Sequence, residues 1–183
     1  MVAPAGGPAA VPSPPPASSE ATRHVMQANR SKNTKPELLV RAALREAGLT
    51  GYRLHWKKAP GRPDVCFPGR RVAVFVHGCF WHRCPHCSPS RPKTHPEFWE
   101  AKFARNRERD ERDNALLVSA GWTVILVWEC RLRRASRERT LAELVEEVRR
   151  AREGMGAPRV VEVGSPGAWR LRRLRARRRS RRR

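Results

Sequence analysis

The segment Val-Ala-Val-Phe-Val-His-Gly-Cys-Phe-Trp-His, residues 72–82, decides the fold class. Its first five residues are apolar on both faces, which is typical of a strand at the centre of a sheet that helices cover. The strand runs directly into His77 and Cys79, whose side chains can move a proton or bind a metal ion. The segment therefore predicts an α/β domain that carries its chemistry where this strand ends.

The patterns on either side of this segment complete the predicted domain. A helix begins after Thr34, which is a suitable cap, has Pro36 in its first turn and stops at Gly48. The remaining elements are predicted as strands at residues 52–55, 64–67, 72–77 and 122–129 and as helices at residues 96–120 and 140–152. Helix, three strands, helix, strand, helix indicates an α/β sandwich of modest size.

The two ends of the chain differ in composition from the middle. Residues 1–25 are rich in alanine and proline, and we expect disorder there because little apolar surface is available to offset the entropy of ordering. We expect the folded domain at residues 26–153. Residues 154–183 form an arginine-rich tail that we expect to be disordered, or ordered only on DNA.

The charge balance points to a polyanionic partner. Lys and Arg number 39 against 17 Asp and Glu, which gives a net charge of +22. Ten arginines lie between Arg170 and Arg183, so the rest of the chain still carries +12. Such a field attracts phosphate without regard to sequence and favours nucleic acid over an anionic membrane.

The sequence predicts a cytoplasmic protein, associated with the nucleoid when it acts on DNA. The longest apolar stretch, residues 72–76, is too short to span a bilayer, so we expect no membrane partner. Residues 1–19 carry no positive charge ahead of an apolar core and do not look like a signal peptide. In a reducing compartment, the five cysteines are better explained as metal ligands or buried thiols than as disulfides.

Four of those cysteines have the spacing of a structural zinc site. Cys79, Cys84 and Cys87 form a C-x4-C-x2-C cluster after the central strand, and Cys130 ends the next long strand. Four thiolates would tie two loops together through one Zn²⁺ ion. His86 could replace Cys84 or Cys87, and reduced thiols without a metal are the alternative. Cys66 stands alone within a strand and is predicted to be a small buried hydrophobe.

A second site is indicated by Asp64 and two histidines. Asp64 follows Pro-Gly-Arg-Pro at the start of an apolar strand, where its carboxylate could help to hold Mg²⁺. Alone, this motif is more often an ordinary turn. His77 and His82 bracket the first cysteine, so a rigid metal clamp would hold two imidazoles near Asp64. One of them could take a proton from the water that attacks a phosphate. His55 has no comparable neighbours in the sequence and is not predicted to take part.

Lys102, Asn106 and Asp110 recur at every fourth residue and share one face of the long helix. A solvated surface is the ordinary interpretation of such a run. If the face instead looks into a cleft, Asp110 could orient a histidine, and Lys102 or Asn106 could meet phosphate.

Three aromatic residues suggest a way of recognising a weakened base pair. Phe80 and Trp81 lie in the loop between the cysteines, and Trp99 opens the following helix. Such rings usually belong to a core, but on a rigid loop in a basic protein they can wedge between base steps. A mispaired step costs less to unstack, which would favour damaged sites.

Taken together, these motifs resemble the very short patch repair DNA mismatch endonucleases. The resemblance runs in order from Gln27 to Arg134 and rests on five stretches: Asn-Arg-Ser-Lys-Asn-Thr-Lys-Pro-Glu, Pro-Gly-Arg-Pro-Asp, Val-Phe-Val-His-Gly-Cys-Phe-Trp-His, Phe-Trp-Glu-Ala-Lys with Asn-Arg-Glu-Arg-Asp, and Gly-Trp-Thr-Val-Ile-Leu-Val-Trp-Glu-Cys. The resemblance implies a restriction-endonuclease-like fold of the PD-(D/E)xK type, with a mixed sheet flanked by helices and a structural zinc site. It also implies a Mg²⁺-dependent nick on the 5′ side of the thymine in a T:G mismatch left by deamination of 5-methylcytosine.

The resemblance assigns roles to individual residues. It implies that Asp64 and the main-chain carbonyl of Val76 bind the catalytic metal, and that His82 is the general base. His77 would support His82, Asp110 would orient a histidine, and Glu37 would stand near the metal-bound waters. Cys79 and Cys130 match zinc ligands, and the residues that match the family's intercalating aromatics are Phe80, Trp81 and Trp99.

Two positions depart from the family pattern. Many members have a histidine and a cysteine at the middle zinc positions, whereas this chain offers Cys84, His86 and Cys87. Val76 replaces a threonine, which is harmless if only the main-chain carbonyl binds metal.

Two other functions compete with a mismatch nicking enzyme. One is a noncatalytic, zinc-stabilised DNA-binding module, which leaves Asp64, His77 and His82 unexplained. The other is a nicking endonuclease with a different lesion or sequence target. We expect double-stranded DNA with a T:G mismatch as the partner, other DNA repair proteins as further candidates, and a monomer, because one nick requires one active site.

Overall fold

The computed structural model describes residues 32–152 and 157–164, together with residue 20. The predictions for residues 1–25, apart from residue 20, and for the arginine-rich end beyond residue 164 lie outside the described residues. In the described part of the chain, no helix is both long and apolar enough to cross a bilayer.

Three helices and five strands make up the described part. In chain order they are α1 (Lys35–Glu46), β1 (Arg53–Leu54), β2 (Val65–Phe67), β3 (Val72–His77), α2 (Pro96–Ser119), β4 (Thr123–Trp128), α3 (Arg137–Arg152) and β5 (Val160–Val163). Short 3-10 turns follow β2 and β4, at Pro68–Arg70 and Glu129–Leu132. Each predicted element is present, although β1 is shorter than predicted and α3 begins three residues earlier.

Helix α1 begins and ends where the sequence predicts. The Thr34 hydroxyl accepts a hydrogen bond from the Glu37 backbone N–H, and the Glu37 carboxylate accepts one in return from the Thr34 N–H. This reciprocal capping satisfies two of the N–H groups that every helix start leaves unpaired. Gly48, in the left-handed conformation at φ +71°, donates to the Arg45 carbonyl and ends the helix.

The five strands form one mixed sheet in the order β1-β2-β3-β4-β5. Strands β1, β2 and β3 pair antiparallel, and β3, β4 and β5 pair parallel. A mixed sheet flanked by helices is the predicted architecture, and the structure confirms it at that level.

Strands β3 and β4 are buried on both faces because helices cover both sides of the sheet. On one side, Val40 and Leu44 of α1 and Leu144 of α3 pack with the sheet in the main core. On the other side, Leu117 of α2 packs on Ala73 and neighbouring residues in a second core. Buried strands in this position cannot move without opening both cores, so the residues at the end of β3 stand on a rigid support.

The predicted end of the domain at residue 153 is too early. Strand β5 continues the sheet by pairing with β4 in parallel, with Val163 opposite Val127 and 2% exposed. The prediction failed because β5 is four residues long and only its last residue is fully buried, so its sequence has no strong alternation. Its place is set by contacts with β4, about 35 residues earlier in the chain.

Candidate active site and metal centre

A groove of about 1300 Å³ opens where β3 ends. It lies between the start of α1, the segment that leads into β2, and one face of α2. The groove brings together all five residues predicted to be catalytic, which are Glu37, Asp64, His77, His82 and Asp110. They come from α1, β3 and α2, from the segment that leads into β2 and from the loop after β3, so the fold itself assembles this set.

The Asp64 carboxylate lies at the entrance of β2 and is fixed to the neighbouring strand. Its Oδ2 accepts a hydrogen bond of 2.7 Å from the Val76 backbone N–H. The N–H and C=O of one strand residue point to the same side, so the Val76 carbonyl also faces Asp64. Burial raises the pKa of Asp64 to about 6, the Val76 hydrogen bond opposes that shift, and the nearby Glu37 charge adds to it.

His82 and Asp110 form a hydrogen-bonded pair in the same groove. The His82 Nδ1 atom contacts the Asp110 Oδ2 atom directly. Burial alone would raise the pKa of Asp110, but the His82 hydrogen bond and the charges of His82, His77 and Arg109 together lower it. Asp110 is therefore ionised at neutral pH and accepts the Nδ1 hydrogen, which leaves Nε2 as the basic nitrogen of His82.

His77 lies beneath His82 as a neutral, buried ring. The two imidazoles stack at a centroid distance of 4.0 Å and an interplanar angle of 6°. Burial lowers the pKa of His77 to about 3, and the neighbouring His82 lowers it further. The His77 Nδ1 atom is buried and has no hydrogen-bond partner among the described residues. His77 therefore supports the position of His82 from below without adding a second positive charge.

Glu37 lines the groove but is already heavily hydrogen bonded. Its carboxylate accepts four hydrogen bonds, from the backbone N–H groups of Asn33 and Thr34, the Thr34 hydroxyl and the Arg41 guanidinium. Glu37 is 4% exposed, and its Oε2 atom lies 2.7 Å from a guanidinium nitrogen of Arg41. Glu37 therefore caps α1 as well as lining the groove.

The structure places His55, which the sequence did not single out, among the residues predicted to be catalytic. This ring lies between Glu37 and Asp64, with Nε2 3.5 Å from Glu37 Oε2 and Nδ1 3.6 Å from Asp64 Oδ1. Burial lowers the pKa of His55; the Glu37 charge opposes this shift, while Arg41 and Lys32 add to it. In the sequence, His55 directly follows β1, and in the sheet β2 separates β1 from β3. Nothing local showed that β1 would bring it beside Asp64.

The donor atoms near Asp64 suit a divalent cation. Side-chain oxygen or nitrogen atoms of Glu37, His55 and Asp64 lie within 4.8 Å of one another, and Asp64 is the member whose Oδ1 faces no hydrogen-bond donor at bonding distance among the described residues. A carboxylate with a neighbouring main-chain carbonyl is a donor set that hard ions such as Mg²⁺ accept, with water or phosphate completing the coordination. The residues at this end of the groove therefore fit a catalytic metal.

The four cysteines predicted to bind zinc lie together behind the groove. Their sulfur atoms are within 4.8 Å of one another, and the Cys84 and Cys130 sulfurs are 3.7 Å apart. A tetrahedral Zn²⁺ with Zn–S bonds of about 2.3 Å places its sulfurs about 3.8 Å apart. Burial raises the pKa of Cys79 and, to about 11, that of Cys130, so binding a cation would have to release protons. The four sulfur ligands fit zinc in both chemistry and spacing.

His86 points away from this cluster. Its Nε2 lies 2.9 Å from Glu162 Oε2 on β5, while its backbone N–H donates to the Cys84 sulfur over 3.4 Å. Between the ligand sets that the sequence left open, the side-chain geometry favours four cysteines.

The predicted intercalating aromatics form one cluster on the groove side of the loop. The ring of Phe80 meets those of Trp81 and Trp99 edge-on, with centroid distances of 5.0 and 5.5 Å. Both loop rings, Phe80 and Trp81, therefore lie next to Trp99 on α2. Trp81 lines the groove, whereas Trp99 is 8% exposed and supports the loop from within the cluster. Trp81 is therefore held at the groove by its contacts with the aromatic residues of the loop and of α2.

The shared face of α2 looks into the site rather than into solvent. The Lys102 ammonium lies 5.1 to 5.5 Å from the ring centroids of Trp81, Phe98 and Trp99. Asn106 donates to the Trp81 carbonyl over 3.1 Å, and Asp110 holds His82. This face thus fixes the aromatic loop and the histidine from one helix.

Positive charge surrounds the acidic centre of the groove. Six cationic side chains line it: Lys32, Lys35, Lys57, Arg62, Lys102 and Arg109. They come from the start of α1 and the residues before it, from the segment between β1 and β2, and from α2. A groove with cationic walls and an acidic, imidazole-bearing floor attracts a polyanion and can hold a cation at its centre.

Comparison with known proteins gives a consistent result. A family model described as "DNA mismatch endonuclease Vsr" matches residues 18–88. The chain is 47% identical over 115 residues to the type II nicking enzyme V.XorIIP of Xanthomonas oryzae pv. oryzae, covering 63% of this chain and 84% of that protein. It is 39% identical over 125 residues to the DNA mismatch endonuclease Vsr of Escherichia coli, covering 67% and 79% of the two chains.

A third relative is matched over most of its length. The type II nicking enzyme V.NmeAIP of Neisseria meningitidis is 40% identical over 129 residues, which cover 69% of this chain and 91% of that protein.

Proposed function

This chain belongs to the Vsr family of DNA mismatch endonucleases, and from that membership we propose its substrate and mechanism. The substrate is double-stranded DNA with a T:G mismatch left by deamination of 5-methylcytosine. One strand is nicked on the 5′ side of the mispaired thymine, and Mg²⁺ is the catalytic metal. The chain acts as an endonuclease, so the noncatalytic DNA-binding alternative is set aside.

The observation that carries this proposal is the arrangement of Asp64, His82 and Asp110 in one cationic groove. Asp64 and the Val76 carbonyl would hold Mg²⁺, which when bound polarises the scissile phosphate and stabilises the charge that develops on it. Glu37 would stand beside the waters of the ion, because its own oxygens already accept four hydrogen bonds.

His82 is the general base of the proposed reaction. Asp110 accepts the Nδ1 hydrogen, so Nε2 takes the proton as a water oxygen attacks phosphorus and a phosphorus–oxygen ester bond breaks. The leaving sugar oxygen keeps the electron pair of that bond and takes a proton from solvent water. Asp110 stabilises the imidazolium that results. The buried, neutral His77 ring fixes the plane of His82 through their stacking.

The aromatic loop accounts for selection of a mismatch. Trp81, with Phe80 and Trp99 behind it, would enter the stack beside the mispaired bases, where unstacking costs less than at a paired step. Lys102 and Asn106 hold the loop in free protein and lie where they could contact DNA. The zinc ion bound by Cys79, Cys84, Cys87 and Cys130 would keep the base of this loop rigid.

The remaining features of the proposal concern the whole chain. The chain would act as a monomer, with other DNA repair proteins as further partners. The arginine-rich end beyond residue 164 would add affinity for DNA that does not depend on sequence.

The test compares end-labelled duplexes that differ only in one base pair. We expect a single nick 5′ of the thymine in a T:G duplex with Mg²⁺, no nick without added divalent metal, and little cleavage of the T:A duplex. Equal cleavage of the T:A and T:G duplexes would contradict the mismatch assignment.

A nicking enzyme with another lesion or sequence target is the second candidate, because several relatives are named type II nicking enzymes. Varying the bases that flank the mismatch separates the two. Cleavage that follows the flanking sequence and ignores the mismatch would favour the second candidate.

A further inference from the structure

We propose that His55 positions the Asp64 carboxylate for the divalent ion, with Arg41 fixing the orientation of the His55 ring. This inference rests on the proposed role of Asp64 as a metal ligand. It adds a residue that faces Asp64 Oδ1, while the Val76 N–H holds Oδ2.

The first step concerns the backbone at His55. This residue directly follows β1 and has φ +46°, in the left-handed region that residues other than glycine seldom adopt. Such a conformation costs of order 1 kcal/mol and persists where surrounding contacts demand it. Here it directs the imidazole inward, between α1 and the start of β2, and leaves the side chain only 18% exposed.

The second step is that Arg41 decides which ring nitrogen carries hydrogen. The Arg41 NH2 group lies 2.7 Å from Glu37 Oε2 and 3.2 Å from His55 Nε2. A guanidinium nitrogen only donates, and this one has two hydrogens, so it can serve both acceptors at once. His55 Nε2 therefore accepts, and the ring hydrogen of the neutral imidazole is on Nδ1. His55 Nε2 and Glu37 Oε2 lie 3.5 Å apart because both accept from the same Arg41 nitrogen, not because they are bonded to each other.

The third step follows from the position of Nδ1. Its hydrogen faces Asp64 Oδ1 at 3.6 Å, while the Val76 N–H holds Asp64 Oδ2 at 2.7 Å. The Nδ1 contact is longer than a hydrogen bond, so it orients the carboxylate through its dipole and leaves Oδ1 free to accept another partner. Asp64 is thus held from both sides with an open oxygen.

The chain of contacts reaches back to the start of α1. The Arg41 NH1 atom donates to Asn33 Oδ1 over 2.6 Å, and the Glu37 partner of Arg41 is the residue that caps the helix. The rigid helix start is therefore connected to Asp64 through Arg41 and His55. Partners that hydrogen-bond a metal ligand typically change metal affinity by about 10- to 100-fold when they are replaced, and the longer Nδ1 contact of His55 places its expected effect at the lower end of that range.

The test compares three variants of the zinc-loaded full chain: His55→Ala, His55→Gln and the control His95→Gln. The glutamine keeps an N–H donor of similar reach at position 55. His95 is an exposed histidine at the start of α2, and it does not line the groove. Binding of Mn²⁺ is measured by electron paramagnetic resonance, in which the signal of the free ion decreases as the ion binds. Nicking of the T:G duplex is measured over a range of Mg²⁺ concentrations.

We expect His55→Ala to weaken Mn²⁺ binding and to raise the Mg²⁺ concentration for half-maximal nicking, each by about tenfold, which is the lower end of the range for partners of metal ligands. The rate at saturating Mg²⁺ should stay within about threefold of the unmodified protein, because metal affinity and not proton transfer is affected. His55→Gln should recover most of the affinity, and His95→Gln should change neither measurement. A merely structural role for His55 would lower the melting temperature without moving the metal midpoint.

Asp64→Asn separates this proposal from the one on which it rests. If Asp64→Asn loses Mn²⁺ binding while His55→Ala binds as the unmodified protein does, His55 has no positioning role and the proposed metal site stands. If Asp64→Asn binds Mn²⁺ normally, the proposed metal site itself is wrong. Loss of the saturated rate in both the alanine and glutamine variants would place His55 in the chemistry and overturn the positioning role.

Discussion

At the scale of single residues, the site depends on how neighbours set the charge of each titratable group. His82 can act as a base only if its Nδ1 hydrogen is held, and Asp110 is the group that holds it. His77 is kept neutral by burial, so it supports His82 without competing for a proton. The two imidazoles are chemically identical and thus have different tasks only because their surroundings differ.

Replacing Asp110 by asparagine tests this arrangement. Asparagine can present its amide hydrogens to Nδ1 and favour the wrong tautomer, so we expect the nicking rate to fall by about 10²- to 10⁴-fold. Binding of the T:G duplex should change little. Asp113→Asn is the matched control, since Asp113 lies on the same helix and lines the same groove but contacts Arg112 instead of a histidine. An Asp110→Asn enzyme as fast as the Asp113→Asn control would contradict the orienting role.

The Asp64 carboxylate makes stability depend on pH. Its pKa is about 6 in the folded chain, against 3.8 for the unperturbed group, so the folded protein holds this proton more tightly than the unfolded one. Stability from this group is therefore present below pH 4 and is lost as the pH rises through 6.

Asp64→Asn removes the free-energy cost of ionising this buried carboxyl group in the folded chain. In buffer without Mg²⁺ we expect the variant to be more stable than the unmodified protein by about 3 kcal/mol at pH 7.5, since folding raises the pKa of Asp64 from 3.8 to about 6 and each pKa unit corresponds to about 1.4 kcal/mol. The difference should shrink steadily as the pH is lowered from 6 to 4. Urea denaturation at several pH values measures it, and a difference that stays constant over this range would argue against a perturbed carboxyl.

At the scale of elements, several features could be predicted from the sequence because their signals are local. Thr34, Pro36 and Gly48 mark the bounds of α1, and the apolar run of residues 72–76 marks a strand covered on both faces. The fourfold spacing of Lys102, Asn106 and Asp110 predicted one helix face, and the structure turns that face toward the groove.

Other features could not be predicted because they depend on contacts between distant segments. His55 gains its neighbours only when β1 pairs with β2 and α1 packs over the sheet. Strand β5 is too short to show a pattern and is identified by its pairing with β4. The geometry of the cysteine cluster likewise depends on Cys130, which comes 43 residues after Cys87 in the chain.

The loop after β3 and the turn after β4 are joined by the cysteine cluster, and the proposed zinc ion can be tested there. We expect one equivalent of zinc in the unmodified protein by elemental analysis. Cys130→Ser should lower the zinc content and the melting temperature together, because removing one ligand opens a site that closes two loops. Cys66→Ala is the control, since Cys66 is buried in β2 and takes no part in the cluster. Full zinc content in Cys130→Ser would contradict the four-cysteine site.

At the scale of the whole molecule, the domain extends past its predicted end and the strongest charge lies beyond it. The Gly164 N–H donates to the buried Glu143 carboxylate over 2.7 Å, and Arg159 pairs with Glu147 over 2.8 Å. These contacts join α3 to Gly164, which follows β5, and to Arg159, which precedes it.

Two truncations test the boundary. A chain that ends at residue 153 loses β5 and should be destabilised by more than about 2 kcal/mol, because it uncovers part of the core and leaves Glu143 buried without its partner. A chain that ends at residue 164 keeps the sheet and should unfold near the same urea concentration as the full chain. Equal stability of the two truncated chains would mean that β5 contributes nothing to the domain.

The measurement that tests the proposed chemistry most directly is the single-turnover rate of nicking of a T:G duplex by Asp64→Asn with saturating Mg²⁺. We predict a fall of at least about 10³-fold, since the metal contributes several kcal/mol and each 1.4 kcal/mol is worth about a factor of ten in rate. Affinity for the duplex should remain within about threefold, because the cationic walls of the groove are unchanged. A variant that nicks at the rate of the unmodified protein would show that hydrolysis takes place without this carboxylate.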